Sequence, residues 1–169
     1  MEEIINKVAD SGLIQLDLAD FKPKNELVEI DLAEQLWQGL VIREKDFREW
    51  IKQNDWKSYA DKAVFVHCSA DAIIPTWAYM LVGSALEGIA SDIHIGQKDE
   101  LYRTMIHKAI HAQNQEQFKD GKVIIKGCSD IGSPEYAMVE MVKFLQPMVQ
   151  SIMYGEPCST VPVYKRRRV

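Results

Sequence analysis

The three cysteines are the residues of this sequence whose surroundings most clearly suggest chemistry. Cys68, Cys128 and Cys158 are each followed by serine, and each lies close to Asp, Gly or Pro, which are typical of loops. Cys68 and Cys128 also follow short apolar segments that predict strands, and a proline shortly after each predicts the start of a helix. These three Cys-Ser loops therefore form the first candidate site.

The predicted elements give a reason for the three sulfurs to converge. If the two strands are neighbours in one sheet, Cys68 and Cys128 lie at its carboxyl edge, where ligand sites of open α/β sheets gather. A following helix N-terminus favours the thiolate, which binds metals or attacks electrophiles. With Cys158 folded back by its prolines, three thiolates and one further ligand would satisfy Zn²⁺ or an iron–sulfur cluster.

The fourth ligand of such a site is left open by the sequence. His67 is the nearest candidate, but on a regular strand its side chain faces away from that of Cys68. The competing candidates are His67, Asp71, Asp130, His94, water and a substrate.

Two other interpretations of the cysteines stand beside the metal site. In the first, Cys68 or Cys128 is a reactive thiol of an enzyme or of a sulfur or acyl carrier. Asp71 and Asp130 are then candidate acids or bases, although both also suit helix caps. In the second, the cysteines are small core residues of an interaction protein that performs no catalysis.

One histidine pair also has metal-ligand spacing. His107 and His111 are four residues apart on a predicted helix and so share a face. The hydrolase pattern His-Glu-x-x-His is not present, because Lys108 stands where the glutamate would be. We interpret this pair as part of a solvated polar face.

The composition indicates a single cytoplasmic α/β domain. The chain has 169 residues, of which 47% are hydrophobic and 27% charged, as in average globular proteins. The apolar segments are too short to cross a bilayer, and the N-terminus has no secretory signal pattern. The odd number of cysteines suits a reducing compartment, where they stay unpaired.

The charges argue against a nucleic-acid partner. The formal net charge is −5, and a basic tail at residues 165–168 follows every acidic residue, so the rest of the chain is acidic. Nucleic-acid surfaces need clustered cations. We expect the tail to be a solvated terminus or an intramolecular partner of the acidic body. Phosphate-binding and dinucleotide-binding fingerprints do not occur in the sequence.

The hydrophobic pattern predicts strands that alternate with helices. Leu13–Leu18 and Leu27–Ile30 read as a hairpin, followed by a helix over Leu32–Leu40 and an amphipathic helix over Glu44–Asn54 whose aromatic face packs in the core. We predict a single domain with a mixed sheet and helices packed on it. The other predicted features are similar strand-loop-helix units at 63–90 and 122–151, a strand Asp92–Ile95, a helix 98–113, and a C-terminal segment 152–169 that packs back.

The chain resembles an uncharacterised bacterial family, the one catalogued as domain of unknown function 2480. The resemblance covers nearly the whole chain and rests on His67–Val82, Lys126–Ser129 and Ser151–Lys165. The family has no assigned activity, so the resemblance implies no catalytic residues. We associate its genes with neighbourhoods that encode iron–sulfur cluster assembly, which implies sulfur, iron or cluster handling and iron–sulfur assembly proteins as partners. A homodimer is expected from the apolar C-terminal segment.

Overall fold

The computed structural model describes residues 12–127 and 131–167 of the chain. The helices of this part are α1 (Glu44–Gln53), α2 (Thr76–Leu86), α3 (Lys98–His111) and α4 (Pro134–Leu145). The strands are β1 (Leu13–Asp17), β2 (Leu27–Asp31), β3 (Ala63–His67), β4 (Asp92–Ile95), β5 (Lys122–Lys126), β6 (Ser151–Glu156) and β7 (Ser159–Lys165). None of the helices in the described ranges is long and apolar enough to cross a bilayer.

The chain divides into two compact units. One unit is the internal segment Lys24–Tyr102, and the other comprises the flanking segments Met1–Pro23 and Arg103–Val169. The helices and strands confirm the predicted α/β class. The single-domain organisation stays a prediction, and each unit is described by itself below.

The internal unit is built on a parallel sheet of three strands in the order β2-β3-β4. The central strand β3 reads Ala-Val-Phe-Val before its final histidine, and these four residues are buried, as expected for a strand covered on both faces. Val64 and Val66 join one apolar cluster with Phe47 of α1 and Val82 of α2. The predicted core role of the aromatic face of α1 is thus confirmed.

The flanking unit is built on a mixed sheet of four strands in the order β1-β5-β6-β7. The strands β1, β5 and β6 run parallel, and β7 returns antiparallel to β6. The central strand β5 buries Val123, Ile124 and Ile125. Helix α4 begins with Pro134 at its first turn, where the missing N–H is harmless, and it ends before Pro147.

The two units share one order of elements. In the internal unit the chain runs β2-α1-β3-α2-β4, and in the flanking unit it runs β1-α3-β5-α4-β6. In both, the central strand is followed by a helix that a proline introduces, Pro75 before α2 and Pro134 within α4. The predicted similarity of 63–90 and 122–151 is therefore a similarity between whole βαβαβ units.

The structure corrects the prediction that β3 and β5 share a sheet. Each is the central strand of its own sheet, with β2 and β4 beside β3 and with β1 and β6 beside β5. Since both edges of each central strand are already paired, the two cannot be neighbours. The prediction that both strands end at one sheet edge is therefore wrong. The expected convergence of the cysteines depended on that shared edge.

The predicted N-terminal hairpin and the helix after it are also wrong. The strands β1 and β2 belong to different sheets, and each pairs in parallel with a strand far along the chain. The segment Leu32–Gln35 forms only a short 3-10 turn, and the chain then folds back through a bridge between Trp37 and Val41. Gln38 and Gly39 both have positive φ there, which a continuing helix does not allow.

Residues 151–165 form the β6-β7 hairpin, in which β7 pairs antiparallel with β6. Arg166 places its Nη1 2.5 Å from Oδ1 of Asp120, and its backbone N–H donates to the carbonyl of Gln150 over 2.8 Å. Arg166 is therefore an intramolecular partner of an acidic residue, one of the two roles predicted for the basic tail.

Candidate metal centre

Helix α4 carries a buried acid among apolar residues. Glu140 is only 4% exposed and lies between Val139 and Met141 in the sequence. A carboxylate in such a position is costly unless hydrogen bonds and opposite charges compensate it. The groups around Glu140 are therefore the strongest candidate for a functional site in the flanking unit.

The two histidines of α3 converge on this carboxylate. His107 Nδ1 lies 2.8 Å and His111 Nε2 lies 3.6 Å from the same oxygen, Oε2 of Glu140. The imidazole rings stack with centroids 4.1 Å apart, as their spacing of one helical turn allows. One ligand atom from each of the three residues lies within 4.8 Å of the other two. We call His107, His111 and Glu140 the His-His-Glu cluster.

Lys143 binds the other oxygen of Glu140. Its ammonium donates to Oε1 from one turn further along α4. Burial alone would raise the pKa of Glu140, but the hydrogen bonds from Lys143 and His107 and their charges hold that pKa below its usual value. The carboxylate is therefore ionised at neutral pH and accepts a hydrogen bond from the protonated Nδ1 of His107.

An aromatic wall supports one side of the cluster. The ring of His111 meets Phe144 edge to face at 5.3 Å, and Phe144 meets Phe118 in the same manner at 5.9 Å. Phe118 and Phe144 are buried, whereas the side chains of His107 and His111 are 46% and 40% exposed. One side is thus fixed by packing while the other is open to ions and small molecules.

The donor set of this cluster fits a divalent transition metal. Zinc bonds to histidine nitrogen at about 2.0–2.1 Å, so its tetrahedral ligands lie about 3.4 Å from one another. The separations of 2.8 and 3.6 Å to Glu140 Oε2 bracket that value. Two imidazoles and one carboxylate form the ligand set of catalytic zinc sites and of non-haem Fe(II) sites, both of which keep positions open for water or substrate.

The first cysteine, Cys68, packs against the apolar core of the internal unit. It follows β3 directly, and its thiol donates a weak hydrogen bond to the carbonyl of Ala70 at 3.5 Å. Helix α2 begins only at Thr76, so Cys68 does not lie at a helix N-terminus as predicted.

Of the other two cysteines, only Cys158 lies within the described residues. Cys158 is exposed in the turn of the β6-β7 hairpin and belongs to the flanking unit, whereas Cys68 belongs to the internal one. Cys128 and Asp130 lie outside the described residues. The three-cysteine metal site with His67 therefore stays a prediction that the sheet topology does not support.

Of the remaining predicted candidates, His67 pairs with an acid, whereas the buried Nε2 of His94 makes no hydrogen bond within the described part of the chain. His67 Nε2 lies 2.5 Å from Glu29 Oε1, and the ring of His67 stacks on Phe65. His94 Nε2 is nearest to Glu100 Oε2, at 3.6 Å. Asp71 is exposed in the loop before α2, and that helix has no side-chain cap. His67 thus faces an acid on a neighbouring strand.

The two Cys-Ser pairs stand at different distances in the sequence from the ends of the strands that precede them. Asp31 at the end of β2 pairs with His67, and Asp17 at the end of β1 pairs with Lys126. The next residue is Cys68 in the first case and Gly127 in the second. Gly127 has φ +81°, and a Cβ there would collide with Oδ1 of Asp17. The two Cys-Ser pairs are therefore offset by one residue.

Asp31 connects the loop after β3 to the end of β2. Its Oδ1 accepts hydrogen bonds from the backbone N–H groups of Ala33 and Ser69, both at 2.9 Å. Burial opposes ionisation, but the hydrogen bonds from Ser69 and Ala33 and the charge of His67 lower the pKa of Asp31 overall. Asp31 therefore holds the Cys68-Ser69 loop in place as an ionised carboxylate.

Replacing Asp31 with alanine should lower the free energy of unfolding by about 1–2 kcal/mol at pH 7, as loss of a cap does. Since the folded pKa is the lower one, the stabilisation is complete above the unfolded pKa of about 3.9 and is lost as pH falls below it. Urea titrations at pH 7 and pH 3 measure this difference. Asp31→Asn keeps the acceptor and should recover part of the loss. An equal loss for Asp31→Ala at both pH values would contradict the role of the charge.

The sequence showed two of the three residues of the His-His-Glu cluster. The spacing of His107 and His111 was visible, but Glu140 lies 33 residues beyond His107 and within an apolar helix. A charged residue on the buried face of an apolar helix is the signal that could have found it, because such acids are rarely buried without partners.

The comparisons with known proteins identify the family and no function. The model of a family described as protein of unknown function (DUF2480) matches residues 2–166. No curated protein and no solved structure matches the chain. The match covers nearly all of the 169 residues. The chain therefore belongs to this family of unknown function.

Proposed function

We propose that the protein binds one divalent transition-metal ion through the His-His-Glu cluster and acts in metal handling. The observation that carries this proposal is the convergence of two imidazoles on one buried carboxylate oxygen, with one ligand atom of each residue within 4.8 Å of the others. The class of function is the one predicted from the sequence, but the ligands are nitrogen and oxygen atoms in place of thiolates.

An ion pair between Glu140 and Lys143 alone does not account for the position of the two histidines. Lys143 already compensates the charge of Glu140 through Oε1. The second oxygen nevertheless faces two histidines, and the nearer one donates the proton of its Nδ1. A metal ion would need a lone pair from each ring, so the proton on Nδ1 of His107 would move to its Nε2 or to solvent. Lys143 would then hold the carboxylate ligand in position without binding the metal itself.

The open side of the cluster favours exchange or catalysis over a structural role. Structural zinc sites are usually closed by four protein ligands, whereas three ligands leave a position for water, substrate or an acceptor. Imidazole and carboxylate suit both Zn²⁺ and Fe²⁺. Transfer of iron to the iron–sulfur assembly proteins that the family resemblance implies is one use for such a site.

Metal content of the wild-type protein is the direct test. Protein without an affinity tag, purified without oxygen and titrated with Zn²⁺ or Fe²⁺, should bind about one ion per chain. His107→Ala and His111→Ala should each weaken binding by at least about a hundredfold, because two remaining ligands hold a metal poorly. His94→Ala is the matched control, since it removes a histidine of the internal unit and should leave binding unchanged.

Two results would end the proposal. One is a wild-type protein that binds neither ion in calorimetry or in equilibrium dialysis. The other is binding that His107→Ala and His111→Ala leave intact, since the metal would then be held elsewhere. A rise of the melting temperature with added metal in the wild type, and its loss in both variants, would support the proposal independently.

A further inference from the structure

We infer that a second copy of this chain docks on α4 through an antiparallel, two-fold symmetric pairing of the two helices. The contact surface is an apolar groove of about 750 Å³ between α4 and the β6-β7 hairpin, which we call the α4 groove. Its apolar lining includes Met138, Val139, Val142, Tyr154, Val161 and Val163. The proposal is independent of the metal-binding function.

The exposure of this lining calls for a partner. Helix α4 buries Ala137, Met141, Phe144 and Leu145 on its core side, while its Met138, Val139 and Val142 line the groove. Val139 is 59% exposed, and Val161 and Val163 on the hairpin are 61% and 51% exposed. Exposed apolar side chains gathered in one groove with a polar rim mark an interaction surface.

The charges on the exposed side of α4 identify the partner as a second copy. Glu135, Val139 and Lys143 follow one another at four-residue intervals and are all exposed. The acid and the base therefore stand about 12 Å apart along the helix axis, one on each side of Val139. An antiparallel copy centred on Val139 brings Glu135 of one chain to Lys143 of the other, twice, by symmetry.

The pairing is compatible with the bond that Lys143 makes inside its own chain. The Lys143 side chain is 61% exposed, and an ammonium has three N–H donors. One of them serves Glu140, which leaves two for a carboxylate of a second copy. Each ion pair lies at the rim of the contact, where it contributes more to register than to affinity, while the apolar residues supply most of the affinity.

The edge of the four-stranded sheet at β7 is less suited to binding a second copy. Strand β7 ends the four-stranded sheet, but it contains Pro162, which lacks a backbone donor. Proline in an edge strand opposes the addition of a further strand. The face of the hairpin beside α4 therefore remains the surface on which a copy can dock.

Sedimentation equilibrium in the presence of EDTA tests the pairing without any contribution from metal. The wild type should be a dimer at micromolar concentration. Val139→Glu should weaken dimerisation by at least about a hundredfold, because it buries two like charges at the symmetry axis. Met80→Glu is the matched control, because Met80 is 69% exposed on α2 and lies outside the groove. It should leave the dimer intact.

A second variant tests the orientation of the helices. Glu135→Lys places like charges together at both rims and should weaken the dimer by about three- to tenfold at low salt, but less at high salt. The exposed Glu49→Lys on α1 is its control. A monomeric wild type, or a dimer that Val139→Glu leaves unchanged, would overturn the inference. A dimer sensitive to Val139→Glu but indifferent to Glu135→Lys would overturn the antiparallel register.

Discussion

Replacing Glu140 with glutamine should lower metal affinity by at least about a hundredfold and also destabilise the metal-free protein by about 1 kcal/mol. Glutamine keeps the shape but loses the charge, so it is a poor ligand for a hard or borderline cation. Without metal, Lys143 and His107 lose a charge-assisted partner, and the loss is moderate because solvent screens these two exposed side chains. Zinc titration by calorimetry and urea denaturation measure the two effects separately.

The stability effect should depend on pH in a defined direction. The pKa of Glu140 is lowered from its ordinary value of 4.5 by Lys143 and His107, which together outweigh the opposing effect of burial. A lowered folded pKa means that the stabilisation is fully present above the unfolded value and is lost as pH falls through the folded one. The difference between wild type and Glu140→Gln should therefore be large at pH 7 and small at pH 3.

A second glutamate on the same helix provides the control. Glu135 is exposed and does not belong to the His-His-Glu cluster, so Glu135→Gln should leave zinc affinity nearly unchanged. Loss of stability in Glu140→Gln without loss of metal affinity would identify Glu140 as a structural ion-pair partner and contradict the metal centre. Unchanged stability at pH 7 would contradict the compensation of its charge by Lys143 and His107.

Local patterns in the sequence predicted several elements of the fold, but not the 3-10 turn at Leu32–Gln35 or the strands β6 and β7. The strand Asp92–Ile95 has the predicted bounds, and α1 and α3 end within two residues of the predicted positions. These segments carry clear apolar periodicity, and polar or glycine-containing turns separate them. The alternation of strands and helices also indicated the α/β class.

Pairing between strands was not predictable from the same patterns. Leu27–Asp31 follows β1 after only a short connection, which suggested a hairpin, yet the two strands pair with β3 and β5 instead. Parallel partners are fixed by contacts between distant segments, and no turn residue records them. The division of β3 and β5 between two sheets was hidden for the same reason.

The candidate site was predicted only in part because its residues come from two helices. The face shared by His107 and His111 follows from helical geometry alone, whereas their closeness to Glu140 depends on how α3 and α4 pack. The cysteine hypothesis, by contrast, relied on similarity between sequence segments. The repeated Cys-Ser pairs resemble each other in sequence, but the extra Gly127 shifts Cys128 by one position relative to its strand.

Alanine in place of Phe47 should cost about 3–5 kcal/mol of unfolding free energy, the range for a large aromatic side chain removed from a core. Phe47 is 1% exposed and meets Trp50 at 5.1 Å and Trp77 at 5.7 Å between ring centroids. All four tryptophans of the chain belong to the internal unit, so tryptophan fluorescence during urea denaturation reports on that unit. Leu40→Ala is the control, because Leu40 is 64% exposed there.

A series at position 47 separates packing from a role in binding. Phe47→Leu restores most of the apolar volume and should recover much of the loss, because volume-conserving exchanges usually cost less than about 1.5 kcal/mol. This ranking of Phe, Leu and Ala follows from a filled core in which Trp50 and Trp77 close around the ring. Suppose instead that Phe47→Ala lowered the free energy of unfolding by less than about 1 kcal/mol. The aromatic face of α1 would then not be packed in the core of the internal unit, and its interpretation as a packing surface would be wrong.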